Sequence, residues 1–222
     1  ARFLWTAYDL QPDTLYQVVV ALGPDVASAQ QPAFLGRAWG PVGFRTAGGT
    51  SPLRIGVLSD ASFGDEGTIA LVQQMAAADL DFVLHAGDVV DETDSARDPF
   101  DSYAHKFFAV FEPLLTRMPV YTVPGNHDYD NDIRLDGSPF YYRAFPPFPD
   151  PSFLGQEAAE RNQFYAFARN GVQFVMLDTQ VLFGVPGREQ QERWLAERMQ
   201  DPRFENTIAV LHVAPFSSSS VH

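Results

Sequence analysis

Cysteine is absent from this sequence. Disulfides and thiolate metal sites are therefore excluded, and the redox compartment is left open. No uninterrupted apolar run reaches ~18 residues, the length a membrane-spanning helix needs. Positive charge is scarce: 15 Lys and Arg stand against 28 Asp and Glu, a net charge of −13. A general nucleic-acid binder needs a basic face, so no nucleic-acid partner is indicated. The acidity can serve solubility, or some carboxylates can face metal ions. What the chain does have is apolar mass. Its 222 residues are 45% hydrophobic and include 19 Phe. That excludes wholesale disorder and is enough for one generous domain, or one domain plus part of another.

The first fifty residues differ in texture from the rest. Thr14–Val20 is a strand by its β-branched content, preceded by the turn residues Leu10-Gln11-Pro12-Asp13. Gly23-Pro24 and Gly40-Pro41 punctuate the next twenty residues. Then come a short strand, Val42–Thr46, and a linker, Ala47-Gly48-Gly49-Thr50-Ser51-Pro52. These pieces resemble the last strands of a fibronectin type III-like sandwich. Two or three strands cannot close a sandwich of about seven. Either the chain begins inside such a domain, which is the expectation, or the segment packs on the remainder of the chain.

After Pro52 strands and helices alternate. Leu53–Leu58, Phe82–Ala86 and Thr207–Leu211 read as strands, and Val120–Val123 as a buried one. Thr68–Ala78 reads as a helix capped by Thr68, and Phe100–Leu115 as a helix whose end Pro113 disturbs. Asp130–Glu160 reads as loop, because Pro146, Pro147, Pro149 and Pro151 forbid regular structure. Gln163–Phe167 and Val172–Leu177 flank Asn170-Gly171, a hairpin signal. Glu189–Met199 is a helix that buries Trp194 and Leu195.

Four apolar runs end in a group that can ligate a metal: Asp60, Asp88, Asn126-His127-Asp128 and His212. Ligands of open α/β sheets gather beyond the strand ends, so four such strands side by side would bring these residues to one edge. Oxygen donors with imidazole suit Mn, Fe, Zn or Mg. An imidazole can also move a proton, and a carboxylate can orient it. Two metals about 3.5–4 Å apart could clamp both oxygens of a phosphoryl transfer. Each residue also has an ordinary explanation. Asp and Asn commonly close turns after strands, and Asp178 ends an apolar run in the same way without an obvious partner. His85 reads as a packed core histidine, and His105 as a residue on a helix surface.

The ordered set resembles the calcineurin-like metallophosphoesterases, and within them the purple acid phosphatase-like branch. The motifs are Ser59-Asp60, Gly87-Asp88-Val89-Val90-Asp91, Gly125-Asn126-His127-Asp128 and Val210-Leu211-His212. Gln191-Glu192-Arg193-Trp194-Leu195 and His212-Val213-Ala214-Pro215-Phe216-Ser217-Ser218 with His222 are similar to further family segments. The resemblance implies an α/β fold, a β-sandwich flanked by helices (α/β/β/α). The last strands of an all-β fibronectin III-like domain would precede it. Residues 1–50 would belong to that incomplete domain, and residues 51–222 to a phosphoesterase domain whose C-terminal end is missing.

By the same resemblance Asp60 would bind a first metal, Asp88 would bridge two, and Asn126 and His212 would bind the second. His127 would act beside the substrate with Asp128 orienting it. Asn126, His127 and His222 would meet the substrate. The expected cofactors are two ions of Fe, Mn or Zn. The expected activity is hydrolysis of phosphate mono- or diesters by in-line attack of a metal-bound hydroxide. Export from the cytoplasm is expected on the same ground. Three positions depart from the family pattern. Ser62 stands where a histidine is usual, Asp91 where the purple branch has its tyrosine, and no Gly-His-x-His is present. These departures leave a second expectation beside the enzyme: a metal-poor binding protein on the same scaffold.

Overall fold

The computed structural model describes residues 7–22, 37–46, 48, 52–91, 99–129, 141–145 and 164–216. Gly23-Pro24, Pro146, Pro147, Pro149, Pro151, Ser217, Ser218 and His222 lie outside them.

Two three-stranded sheets form the body of the protein. In the first, β3 (Ile55–Leu58), β4 (Phe82–His85) and β5 (Val120–Thr122) run parallel in that order. All four residues of the central strand β4 are buried, as befits a short apolar run covered on both faces. In the second, β6 (Tyr165–Arg169) and β7 (Val172–Met176) make an antiparallel hairpin, and β8 (Asn206–Val210) lies parallel to β7. Asn170 and Gly171 turn the hairpin with φ of 48° and 79°, the backbone that Asn-Gly favours.

The sheets pack face to face. Phe82, Leu84, Tyr121 and Val123 from the first meet Tyr165, Phe167, Phe174, Met176 and Val210 from the second. Phe82 lies at the centre, edge-on to Tyr121, Phe167 and Phe174 at 5.7, 5.7 and 5.3 Å. Helices cover both outer faces. On the first sheet lie α1 (Glu66–Ala77) and a continuous helical segment. That segment consists of α2 (Pro99–Ser102), a π-helical stretch (Tyr103–Phe108) and α3 (Ala109–Leu115). They bury Val72, Phe107, Phe111 and Leu114 with Val83. On the second sheet α5 (Arg188–Met199) places Trp194 against Phe164, 4.9 Å between rings. The layers are therefore α/β/β/α, as expected.

Several local expectations change. Three of the four ligand-bearing strands lie side by side, but the strand before His212 belongs to the second sheet. The Thr68 cap is replaced by Asp65, whose carboxylate accepts from Thr68 N at 2.8 Å, so α1 starts earlier. Pro113 lies inside α3, and the helix runs on to a Thr116 cap because Leu114 is anchored in the core. A short helix α4 (Tyr141–Ala144) interrupts the expected loop.

Before residue 50 two strands are described, β1 (Leu15–Leu22) and β2 (Arg37–Arg45), paired antiparallel. β2 runs through Gly40-Pro41 rather than stopping there. The register shifts between Val18 and Val20, opposite the proline that has no N–H to offer. This pair is hydrogen-bonded to the body: Gly43 N donates to Thr116 O at 3.3 Å and Arg169 Nη1 to Arg45 O at 3.4 Å.

Phe82 touches both sheets, so truncating it empties the interlayer. Phe82→Ala is expected to lower unfolding stability by about 3–5 kcal/mol in urea denaturation. A loss below about 1 kcal/mol would mean that the interface collapses around the gap.

Candidate metal site

Asp60, Asp88 and Asn126 emerge from adjacent parallel strands, β3, β4 and β5. Both carboxylates sit where the backbone turns sharply. Asp60 has φ of 56° and Asp88 φ of 50°, in the left-handed region that few residues other than Gly adopt. Gly87, with φ of 95°, precedes Asp88. Two glycines let the pieces close. A Cβ on Gly125 would stand 2.1 Å from Asp88 Oδ1, and one on Gly87 2.6 Å from the His212 ring. Asp60 N donates to Gly87 O at 3.1 Å, which ties the first two turns together.

His212 arrives from the second sheet. Its Nδ1 donates to the carbonyl of Ala86 at 2.9 Å, which fixes the tautomer and turns Nε2 inward. There, among the described residues, Nε2 meets Asn126 Oδ1 at 3.2 Å and Asp88 Oδ1 at 3.5 Å. One ligand atom each from Asp60, Asp88 and His212 lies within 4.8 Å of the others. Metal–ligand bonds of about 2.0–2.2 Å place ligand atoms at similar separations. The donor set fits a divalent cation, and a cation or a proton on Nε2 would satisfy the imidazole nitrogen and both oxygens together.

The electrostatics agree. Burial pulls the His212 pKa down, but the hydrogen bond and charge of Asp88 outweigh it and push the imidazole up to about 9. Burial pushes the Asp88 carboxyl up, yet its bonds to His212 and to His127 N hold it below the usual range.

His127 is beside the cluster. Its Nε2 is 4.0 Å from Asp88 Oδ2 and its side chain is 34% exposed, so one nitrogen is available to an incoming group. Asp128 does not orient it. The Asp128 carboxylate turns into the interior, where it accepts from Val89 N, Val90 N, Gly125 N and the Tyr103 hydroxyl at 3.0, 3.3, 2.9 and 3.1 Å. Burial pushes its carboxyl up to about 7, against the pull of those donors. Four inward donors leave it no role at the ring; it staples the Asp88 turn to the Asn126 turn. Among the described residues, the carboxylate beside His127 Nδ1 is instead Asp91, at 3.9 Å. Asp91 stands three residues after Asp88, and that Gly-Asp-x-x-Asp spacing is the signal for it in the sequence. Ser62 is buried, and its carbonyl accepts from Asp91 N at 3.3 Å. His85 is a core residue, packed on Phe107 and Phe111, and burial pulls its pKa down to about 3. His105 is exposed.

The chain belongs to the calcineurin-like phosphoesterase family, whose sequence model matches residues 53–222. No curated protein sequence matches it. Among solved structures it is similar to a purple acid phosphatase isolated from yellow lupin (Lupinus luteus) seeds. The identity is 18% and the TM-score 0.56, over 90% of this chain and 36% of that one. It is also similar to PhoD, with 14% identity and a TM-score of 0.53 over 78% of this chain and 44% of that one. The chain thus spans less than half the length of either structure, and the likeness is one of fold. No helix among the described residues is long and apolar enough to cross a membrane.

Since His212 holds a proton below about pH 9, a metal ion must displace it. Calorimetric Mn²⁺ titration at pH 7 in buffers of different ionisation enthalpy should find about one proton released for the ion that His212 takes, with affinity weakening as pH falls. Binding without proton release would remove His212 from the ligand set. Asp128→Asn turns an NH₂ toward a backbone donor. It should cost about 1–3 kcal/mol for each donor left unpaired, read by urea denaturation. An unchanged midpoint would refute the stapling role.

Proposed function

We propose that this protein hydrolyses phosphate mono- or diesters at the Asp60, Asp88, Asn126 and His212 cluster. The observation that carries this reading is His212 Nε2, held among oxygen acceptors at the head of both sheets. Two divalent ions are proposed, with Asp88 shared between them, Asp60 on one side, and Asn126 and His212 on the other. Bound there, the ions would supply Lewis-acid polarisation of a phosphoryl oxygen and activation of water.

The chain's own residues do the rest. The Asn126 amide orients a phosphate oxygen, with its carbonyl toward the metal side. The His127 ring stands on the open side of Asp88 and donates a proton to the departing alcohol oxygen. Asp91, 3.9 Å from His127 Nδ1, faces the other edge of the ring. Asp128 keeps both turns in register from within. His222 is proposed to meet the substrate.

A second reading rests on Ser62. It is buried where the family commonly has a histidine, so the first metal position has one imidazole fewer, as in a metal-poor binding protein on this scaffold. One experiment separates the two. Wild type and His127→Ala are assayed on an aryl phosphate with Mn, Fe or Zn supplied and metal content measured. The enzyme reading expects wild-type turnover and a loss of about 10²–10⁴-fold in the variant at equal metal content. Equal turnover in the variant would remove His127 from proton transfer. No turnover in the metal-loaded wild type would favour the binding protein.

A further inference from the structure

Asp178 is a buried carboxylate that none of the proposed chemistry uses. It lies two residues beyond β7, in the second sheet, where a buried charge is costly unless its oxygens are bonded. They are bonded, and in a way that reaches both halves of the site. Oδ2 accepts the Tyr129 hydroxyl. Tyr129 closes the short turn His127–Tyr129, and its N–H donates to Asn126 O at 3.2 Å. Oδ1 accepts from Gln180 N at 2.8 Å and so caps the turn Thr179–Phe183. The first residue of that turn, Thr179, accepts on Oγ1 from Val213 N at 3.2 Å, next to His212. The Asp178 peptide is itself clasped by Gln191 of α5. Gln191 Oε1 accepts from Asp178 N at 2.9 Å and Nε2 donates to Asp178 O at 3.0 Å.

We infer that Asp178 is a positioning residue that holds the Asn126–His127 loop of one sheet and the His212 loop of the other at a fixed separation. The physical need is plain. Three ligand-bearing turns share the first sheet and its hydrogen-bonded register, but His212 belongs to the second sheet. Apolar stacking between sheets sets their distance but tolerates sliding, because dispersion contacts have little directionality. Directional bonds remove that freedom: His212 Nδ1 to Ala86 O at 2.9 Å, the Tyr165 hydroxyl to Thr122 O at 2.8 Å, and, on either side of the cluster, those of Asp178 and its neighbour Thr179. The Tyr129 arm governs where Asn126 Oδ1 stands. The Thr179 arm fixes the backbone beside His212, and with the Nδ1 bond to Ala86 O it sets where Nε2 stands. Their separation of 3.2 Å is the quantity the hub protects.

The inference rests on the metal-site reading proposed above, and its test keeps the two apart. Mn²⁺ is titrated calorimetrically into the 222-residue chain and its Tyr129→Phe, Thr179→Val, Thr179→Ser and His212→Ala variants, each melted by circular dichroism. Tyr129→Phe and Thr179→Val each remove one arm with little change of shape. Both should weaken Mn²⁺ binding by about tenfold or more, the usual effect of losing an outer support of a metal ligand. Thr179→Ser keeps the acceptor oxygen and should restore near-wild-type affinity. A merely structural role would lower the melting temperature while folded protein bound Mn²⁺ as before. Wild-type affinity in folded Tyr129→Phe and Thr179→Val therefore overturns the inference alone. No Mn²⁺ binding by wild type, or full binding by His212→Ala, overturns the metal-site reading and the inference with it. Should Tyr129→Phe fail to fold, the Thr179 pair decides the matter by itself.

Discussion

Everything at the head of the two sheets depends on how closely the chain can approach Asp88. Its carboxylate is buried, its backbone is left-handed, and three separate groups crowd it: Gly125 of one turn, His127 N of the same turn, and His212 from the other sheet. A side chain at Gly125 or Gly87 would occupy the space that the carboxylate and the imidazole use. The result is a cluster of oxygens around one imidazole nitrogen. A positive charge placed among them offsets the mutual repulsion of the oxygens in a partly dry site.

Around that constraint the fold supplies two kinds of order. Aromatic stacking between the sheets, centred on Phe82, fills volume and excludes water. Inner polar groups set direction. Asp128 joins the turns that come after β4 and β5 through backbone N–H groups, while Asp178 joins the first sheet to the second through Tyr129. Both carboxylates are fully bonded and hidden, so neither is free for chemistry. Asp60 and Asn126 are exposed and His127 is half-buried, so these are the residues of the site that face outward.

Much of this is legible in the residues themselves. The β-branched and aromatic runs place every described strand of the body to within a residue or two, and Asn170-Gly171 marks its hairpin. Asp60, Asp88, Asn126 and His212 are readable as candidate ligands because each ends an apolar run, and strand ends are where open sheets gather ligands. The role of Asp128 is not readable in this way. Its position next to His127 says nothing of side-chain direction, and residues adjacent in a tight turn commonly point apart. Asp91 is legible as a departure from the family pattern but not as the neighbour of His127 Nδ1, since that contact joins two turns 36 residues apart. Asp178 looks like an ordinary turn residue in the sequence because its partners, Tyr129 and Gln191, lie far off on both sides.

The sequence by itself determined the composition of layers and the chemical identity of the donors. Periodicity, turn residues and side-chain types are local, and they survive without knowledge of what packs where. Only the tertiary structure decided which donor faces which. The stacking of two separate sheets brought His212 to Asp88, and the left-handed turns at Asp60 and Asp88 aimed their carboxylates. Buried hydrogen bonds then sorted the acidic residues into those that meet at the cluster and those that fasten. Side-chain direction and contact across sheets depend on the whole packed arrangement, and no single stretch of the chain carries that information.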